Sequence, residues 1–300
     1  MTNLEDRSYS IHQNTYSKVE KAEGLSLYRN WFESNTTDIW RHLRMLSVLN
    51  PFLKHHPHSS WLTVGDGNFG TSAIYINKNG GNALASDIDI RLLEVAKQEN
   101  MLPNFAYANA EKLPFDNNAY QYTYCKMAYH HFPRPAIAVY EMLRVSAQAA
   151  IFTEPSDYVP TPALRRISQK TKNGIKHLMG KPIPHHDTGN YEISGNYVFT
   201  ISVREFEKIA QGLGLPCIAY KKFHDVYIEG VEHETWVEDA PLFKKIKKEI
   251  AYINRLTLFK LSDKNSIQMI IFKSVPADTL KADLKADGYT IITFPPNPYL

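Results

Sequence analysis

The stretch WLTVGDGNFGTSAIYINKN, residues 61 to 79, constrains this chain more than any other. A short apolar run ends directly in a glycine turn and a helical pattern follows, so strand, tight turn and helix come in that order. Gly65, Gly67 and Gly70 satisfy G-x-G-x-x-G, which is only a weak hint when it stands alone. ALASD, 83 to 87, reads as a second buried strand, followed by the helical IRLLEVAKQ. NFAYAN, YQYTYCKM and AAIFTE read as strands, with a helix at PAIAVYEMLRV, 135 to 145, before the last of them. Strands that alternate with helices predict an α/β fold built on a parallel, doubly wound sheet.

The flanks are less regular. Residues 17 to 50 place Leu25, Leu27, Trp31, Trp40, Leu43, Leu46 and Leu49 at helical spacing, with Asn35 or Thr36 as an N-cap between two segments. From Pro155 to about Thr200 the alternation stops in a proline- and glycine-containing segment that reads as an insertion. REFEKIAQGLG restores a helix, PCIAYKKF a strand, 238 to 258 a helix and SIQMIIFKSV a last buried strand. The tail from Lys281 suggests a short helix, a strand and a Pro-rich end. The expected organisation is an N-terminal helical cap at 1–58, a main domain at 59–275 and a C-terminal extension at 276–300. Insertions are expected at about 156–200 and, helical, at about 231–262.

Composition excludes several classes. Lys plus Arg, 34, nearly balances Asp plus Glu, 31, which leaves no electrostatic footprint for nucleic acid. The densest basic run, FKKIKKEI, sets its lysines beside Phe243, Ile246 and Ile250 at helical spacing, as a solvated helix face does. Two cysteines, Cys125 and Cys217, are too few for a disulfide framework and too far apart for C-x-x-C. A reducing cytoplasm is therefore the expected setting. MTNLEDRSYS has no basic stretch leading into an apolar one, and nowhere do eighteen apolar residues run together. Neither secretion nor a membrane span is expected.

Asp87 stands 22 residues after Gly65, where a dinucleotide fold places the acid that holds ribose hydroxyls. That spacing suits any adenosine ligand. The next stretch is more specific. NAEKLPFDNNAYQYTYCKMAYHHF, 109 to 132, resembles class I S-adenosylmethionine (SAM)-dependent methyltransferases of the broad small-molecule type. In those enzymes D-A-E-x-L-P-F is followed by F-D and a strand ending in L-H-H. The counterparts are Asn109, Ala110 and Glu111, then Leu113, Pro114 and Phe115, then Tyr120 and Gln121, and then Tyr129, His130 and His131. AVYEMLRV resembles the family's E-x-x-R-V helix and FTEP its fifth strand, so the likeness runs over roughly 61 to 155. Thr63 stands where an acid usually precedes the turn, Phe69 where a third close glycine often stands, and Gln121 replaces the aspartate of F-D.

The resemblance implies a Rossmann-like, seven-stranded class I sheet with SAM as cofactor. It places cofactor contacts at Gly65, Asp66, Gly67, Asp87, Ile88, Asn109, Ala110, Glu111 and Lys126. Asn109 keeps a carbonyl able to accept from the adenine amino group, and Asp66 is expected to compensate for the acid that Thr63 lacks. Methyl transfer to a hydroxyl needs alignment and a base. His130 or His131 is the expected base, with Glu154, at the end of the fifth strand, its helper. His185, His186 and Asp187 resemble metal ligands on paper, but adjacent residues seldom share one ion, and a surface loop is the expected reading. ISGNYVFTIS offers aromatic faces and amides that suit a sugar-like ring. The expected reaction is O-methylation of a small polar acceptor such as a sugar or glycan intermediate. The alternatives are C-methylation of a quinone- or lipid-like acceptor, a non-catalytic SAM-binding regulatory or scaffold protein, and a dehydrogenase.

Overall fold

The computed structural model describes residues 4–14, 35–157, 191–192, 194–296 and 298–299. The helical reading of 17 to 34 and the residues His185, His186 and Asp187 lie outside the described residues. Helix α1 is Leu4–His12, α2 Thr37–Leu46 and α3 Asn50–His55. The expected alternation then follows: β1 Ser60–Val64, α4 Thr71–Lys78, β2 Asn82–Asp87, α5 Arg91–Gln98, β3 Phe105–Tyr107, β4 Tyr120–Lys126, α6 Pro135–Val145 and β5 Ser146–Pro155. A 3₁₀ turn, Tyr129–His131, lies between β4 and α6. The second half adds α7 Val203–Gly212, β6 Cys217–Phe223, α8 Pro241–Leu258, β7 Ser266–Phe272, α9 Asp278–Ala286 and β8 Thr290–Thr293.

Local chemistry sets several of these boundaries. Thr36 caps α2, its hydroxyl accepting from the Ile39 amide at 3.3 Å. Ser202 caps α7 in the same way, with Glu205 three residues on as in a capping box.

All described strands join one sheet in the order β3-β2-β1-β4-β5-β7-β6-β8. Strands β1 to β5 pair in parallel, β7 runs antiparallel between β5 and β6, and β8 pairs antiparallel with β6. The sheet therefore has eight strands, not seven. β8, Thr290–Thr293, continues the ladder from β6 because Cys217 to Tyr220 offer it an open edge.

Alternate side chains feed two cores, as the two-residue strand period requires. Trp61, Tyr122, Ile151 and Phe272 pack with Phe52, Leu92 and Leu280 on one face. Leu62, Cys125, Phe152 and Met269 pack with Met142 and Phe206 on the other. The strand order reverses between β1 and β4, and in such sheets the ligand crevice opens at the carboxyl ends beside that switch.

Candidate active site

The glycine turn is shaped by left-handed backbone. Gly65 has φ 71°, and a Cβ there would sit 2.4 Å from the Ala128 Cβ. Gly70 has φ 66°, and its Cβ would meet Leu102 Cδ1 at 2.5 Å. Between them Phe69 holds φ 56°, a region an aromatic residue seldom enters, and its ring is buried in the core. Asp66 ties the turn down. Its carboxylate accepts from Thr63 Oγ1 at 2.8 Å and from the amides of Ser72 and Ala73 at 3.1 and 3.0 Å, capping α4. Burial pushes its carboxyl up, opposed by those same donors.

Asp87 closes β2. Its Oδ2 accepts from the Gly67 amide at 2.7 Å and its Oδ1 from the Asp89 amide at 2.8 Å. Burial pushes the carboxyl up to about 6, against the pull of those two N–H groups, with Asp66 and Asp89 nearby adding to the rise.

A cavity of about 670 Å³ runs across the strand ends, a size ordinary for small-molecule sites. It extends from Asp87 and Ile88 after β2 and Asn109, Ala110 and Glu111 after β3, past Gly65, to Met127, Ala128 and His131 after β4. Met127, with φ 54°, is another strained residue at its rim. Helix α1 supplies Tyr9, Ile11 and His12 to the same wall, and the segment ahead of α7 supplies Tyr191, Glu192 and Ser194.

Five residues expected at the site stand behind this wall and do not line the cavity: Asp66, Gly67, Lys126, His130 and Glu154. Lys126 turns to the opposite face, 3.2 Å from His42 Nδ1. Burial lowers its amine, while Asp66, Glu154 and Asp38 hold it up. Glu154 is fully buried. Its Oε1 accepts from the amides of Ala128 and Tyr129 at 2.8 and 3.0 Å, and its Oε2 lies 2.7 Å from His130 Nδ1. Glu154 and His130 thus anchor the 3₁₀ turn that carries His131 into the cavity.

His131 Nδ1 lies 2.9 Å from Glu192 Oε2. Burial and neighbouring His130 hold this imidazole below its ordinary range, and Glu192 partly restores it. Glu111, in the cavity wall, has its carboxylate occupied by the amide and Nε of Arg134, each at 2.7 Å, and by the Tyr9 hydroxyl at 2.7 Å.

Residues 62–152 match the family described as Methyltransferase domain. Residues 62–152 carry a methyltransferase domain. No curated protein matches the chain. The methyltransferase fold recurs in Haemonchus contortus phosphoethanolamine N-methyltransferase 2, solved in complex with SAM, at TM-score 0.51 and 13% identity over 92% of this chain and 61% of that one. That likeness is one of fold. Similar too are the YcgJ protein of Bacillus subtilis, TM-score 0.49 and 17% identity over 78% of this chain and 100% of that one, and a SAM-dependent methyltransferase of Archaeoglobus fulgidus, TM-score 0.46 and 13% identity over 78% and 94%.

The sequence reading of the methyltransferase site missed Tyr9, His12 and Glu192. Nothing in LEDRSYSIH carries an apolar stripe, and only tertiary closure brings Glu192 beside His131. Among the described residues no helix is long and apolar enough to cross a membrane, and no group of three His, Cys, Asp or Glu residues could hold a metal ion.

Proposed function

We propose that this methyltransferase methylates a hydroxyl of a small polar acceptor, a sugar or glycan intermediate, in the cytoplasm. The observation that carries the reading is the single cavity that joins the Asp87 end to the His131–Glu192 pair. Its first end fits SAM: Gly65 keeps the floor clear where a Cβ would collide with Ala128, and Asp87 offers a carboxylate to ribose hydroxyls. Ile88 and Ala110 would flank the adenine and Asn109 its amino group, while Asp66 and Gly67 shape the turn from behind. Two buried free thiols, Cys125 and Cys217, suit a reducing compartment.

Bound SAM supplies an electrophilic methyl group on a good leaving group. The protein then has to align the acceptor, a contribution of ~7–11 kcal/mol, and take up its proton. Donation from His131 Nδ1 to Glu192 leaves Nε2 as the basic nitrogen. The acceptor oxygen bonds the methyl carbon as the carbon–sulfur bond breaks and its electron pair stays on sulfur; the hydroxyl proton passes to Nε2. In this scheme Glu192 orients His131, and Glu154 with His130 holds the turn.

The test is SAM consumption against cell-extract fractions, with mass spectrometry for products one methyl group heavier. Methylated carbohydrate is expected. Methylation confined to quinone or lipid fractions, or no turnover with any fraction, would contradict the reading.

A further inference from the structure

Glu192, in the cavity wall, has two unequal carboxylate oxygens. Oε2 is engaged by His131. Oε1 is buried and has no hydrogen-bond partner among the described residues; His12 Nε2 of α1 approaches it at 3.5 Å, an ion-pair distance only. The other carboxylates of the wall are satisfied: Asp87 by the amides of Gly67 and Asp89, Glu111 by Arg134 and Tyr9. A buried acceptor without a donor calls for a reason, and here it belongs to a residue of the cavity wall next to the proposed base.

The orphan is also held in place. The Glu192 amide donates to the Asn196 carbonyl at 3.0 Å, and the Gly195 amide donates back to the Glu192 carbonyl at 2.9 Å. Buried Asn196 spends its two amide protons on Ser8 Oγ at 2.7 Å and the His131 carbonyl at 2.6 Å, joining this turn to α1 and to the 3₁₀ turn.

Resting on the reading of the cavity as the methyl-transfer site, we propose that Glu192 Oε1 determines acceptor specificity by taking a hydrogen bond from a hydroxyl or a protonated amine of the molecule to be methylated. Such a donor completes the only unsatisfied carboxylate of the cavity among the described residues. A quinone carbonyl or a hydrocarbon chain leaves it unpaired and is rejected. Glu192 therefore both orients His131 and selects what may approach it.

The test uses full-length protein, histidine-labelled for NMR and saturated with S-adenosylhomocysteine (SAH), titrated separately with ethylene glycol and ethanolamine. At least one probe is expected to bind saturably and to move the His131 imidazole signals. Glu192→Gln, which keeps shape and the His131 contact but loses the carboxylate, is expected to weaken that binding at least ~10-fold with SAH affinity unchanged. Saturation by ethylene glycol supports a hydroxyl donor; saturation by ethanolamine alone supports an ammonium. Equal binding in Glu192→Gln, or saturable binding of neither probe, overturns the proposal while leaving the cofactor reading intact. Failure of the wild-type protein to bind SAH overturns both.

Discussion

Asp87 lines the cavity and is the residue at which the proposed cofactor contact and protonation meet. With its pKa raised to about 6 by burial, against an ordinary value near ~3.9, the folded protein binds this proton more tightly than the unfolded chain. The stability this group contributes is present below about pH 4 and is lost as pH rises through about 6. Binding runs the other way, because ribose hydroxyls donate best to the ionised carboxylate. SAH affinity is expected to fall about 10-fold on going from about pH 7.5 to about pH 5 in wild type, and to stay flat in Asp87→Asn. A parallel decline in both proteins would assign the effect elsewhere. Gly65 gives a second check. Gly65→Ala forces a side chain into left-handed backbone against Ala128, so SAH binding at least ~10-fold weaker is expected, with the circular dichroism of the fold retained.

At the scale of elements, α1 lines the cavity and makes polar contacts around it. Its one fully buried polar residue is Ser8, and Arg134 gathers Glu5 at 2.6 Å, Glu111 at 2.7 Å and the Tyr9 hydroxyl at 3.1 Å. Half-exposed ion pairs contribute little to global stability, but elements held by few apolar contacts open cheaply. Arg134→Ala should therefore speed SAH dissociation about 10-fold and raise hydrogen exchange of amides 4 to 12. Its melting temperature should move by no more than about 2–4 °C. An unchanged dissociation rate would show that α1 does not gate the site. This element was also the least legible in the sequence, since a helix docked by hydrogen bonds leaves no periodic apolar signal. By contrast WLTV, ALASD and AAIFTE announced β1, β2 and β5, because strands buried on both faces must be nearly all apolar. Asn35 or Thr36 was the expected cap at the start of α2, and Thr36 supplies it. Gly65 and Asp87, marked in the sequence by their spacing, both line the cavity. The inward-facing histidine was not so marked, because the choice between His130 and His131 depends on Glu154 gripping the first of them from a strand beyond the turn.

Across the whole molecule the sheet unites segments that the sequence separates. Residues 276 to 300 read as an extension, yet α9 buries Leu280 and Leu284 in the core with Phe52, and β8 covers the edge of β6. Tyr289 Oη donates to Gln268 Oε1 at 2.6 Å, and Gln268 Nε2 donates to the Met45 carbonyl at 2.9 Å, linking this tail through β7 to α2. Deleting 276–300 should yield aggregated or unfolded protein, read by solubility and circular dichroism, because it bares an apolar face and a strand edge together. A soluble, cooperatively melting truncate would show that the tail is a separable addition.

The proposed grip on an adenosyl group, between the turn at Gly65 and the carboxylate of Asp87, is open to direct measurement. Isothermal titration of SAH into wild type and Asp87→Ala tests it most directly. Saturable one-site binding to wild type is expected, weakened at least ~10-fold in the variant, because hydrogen bonds to a charged group worth ~1.5–3 kcal/mol are lost. Equal affinity in the two proteins, or a nicotinamide dinucleotide binding where SAH does not, would contradict it.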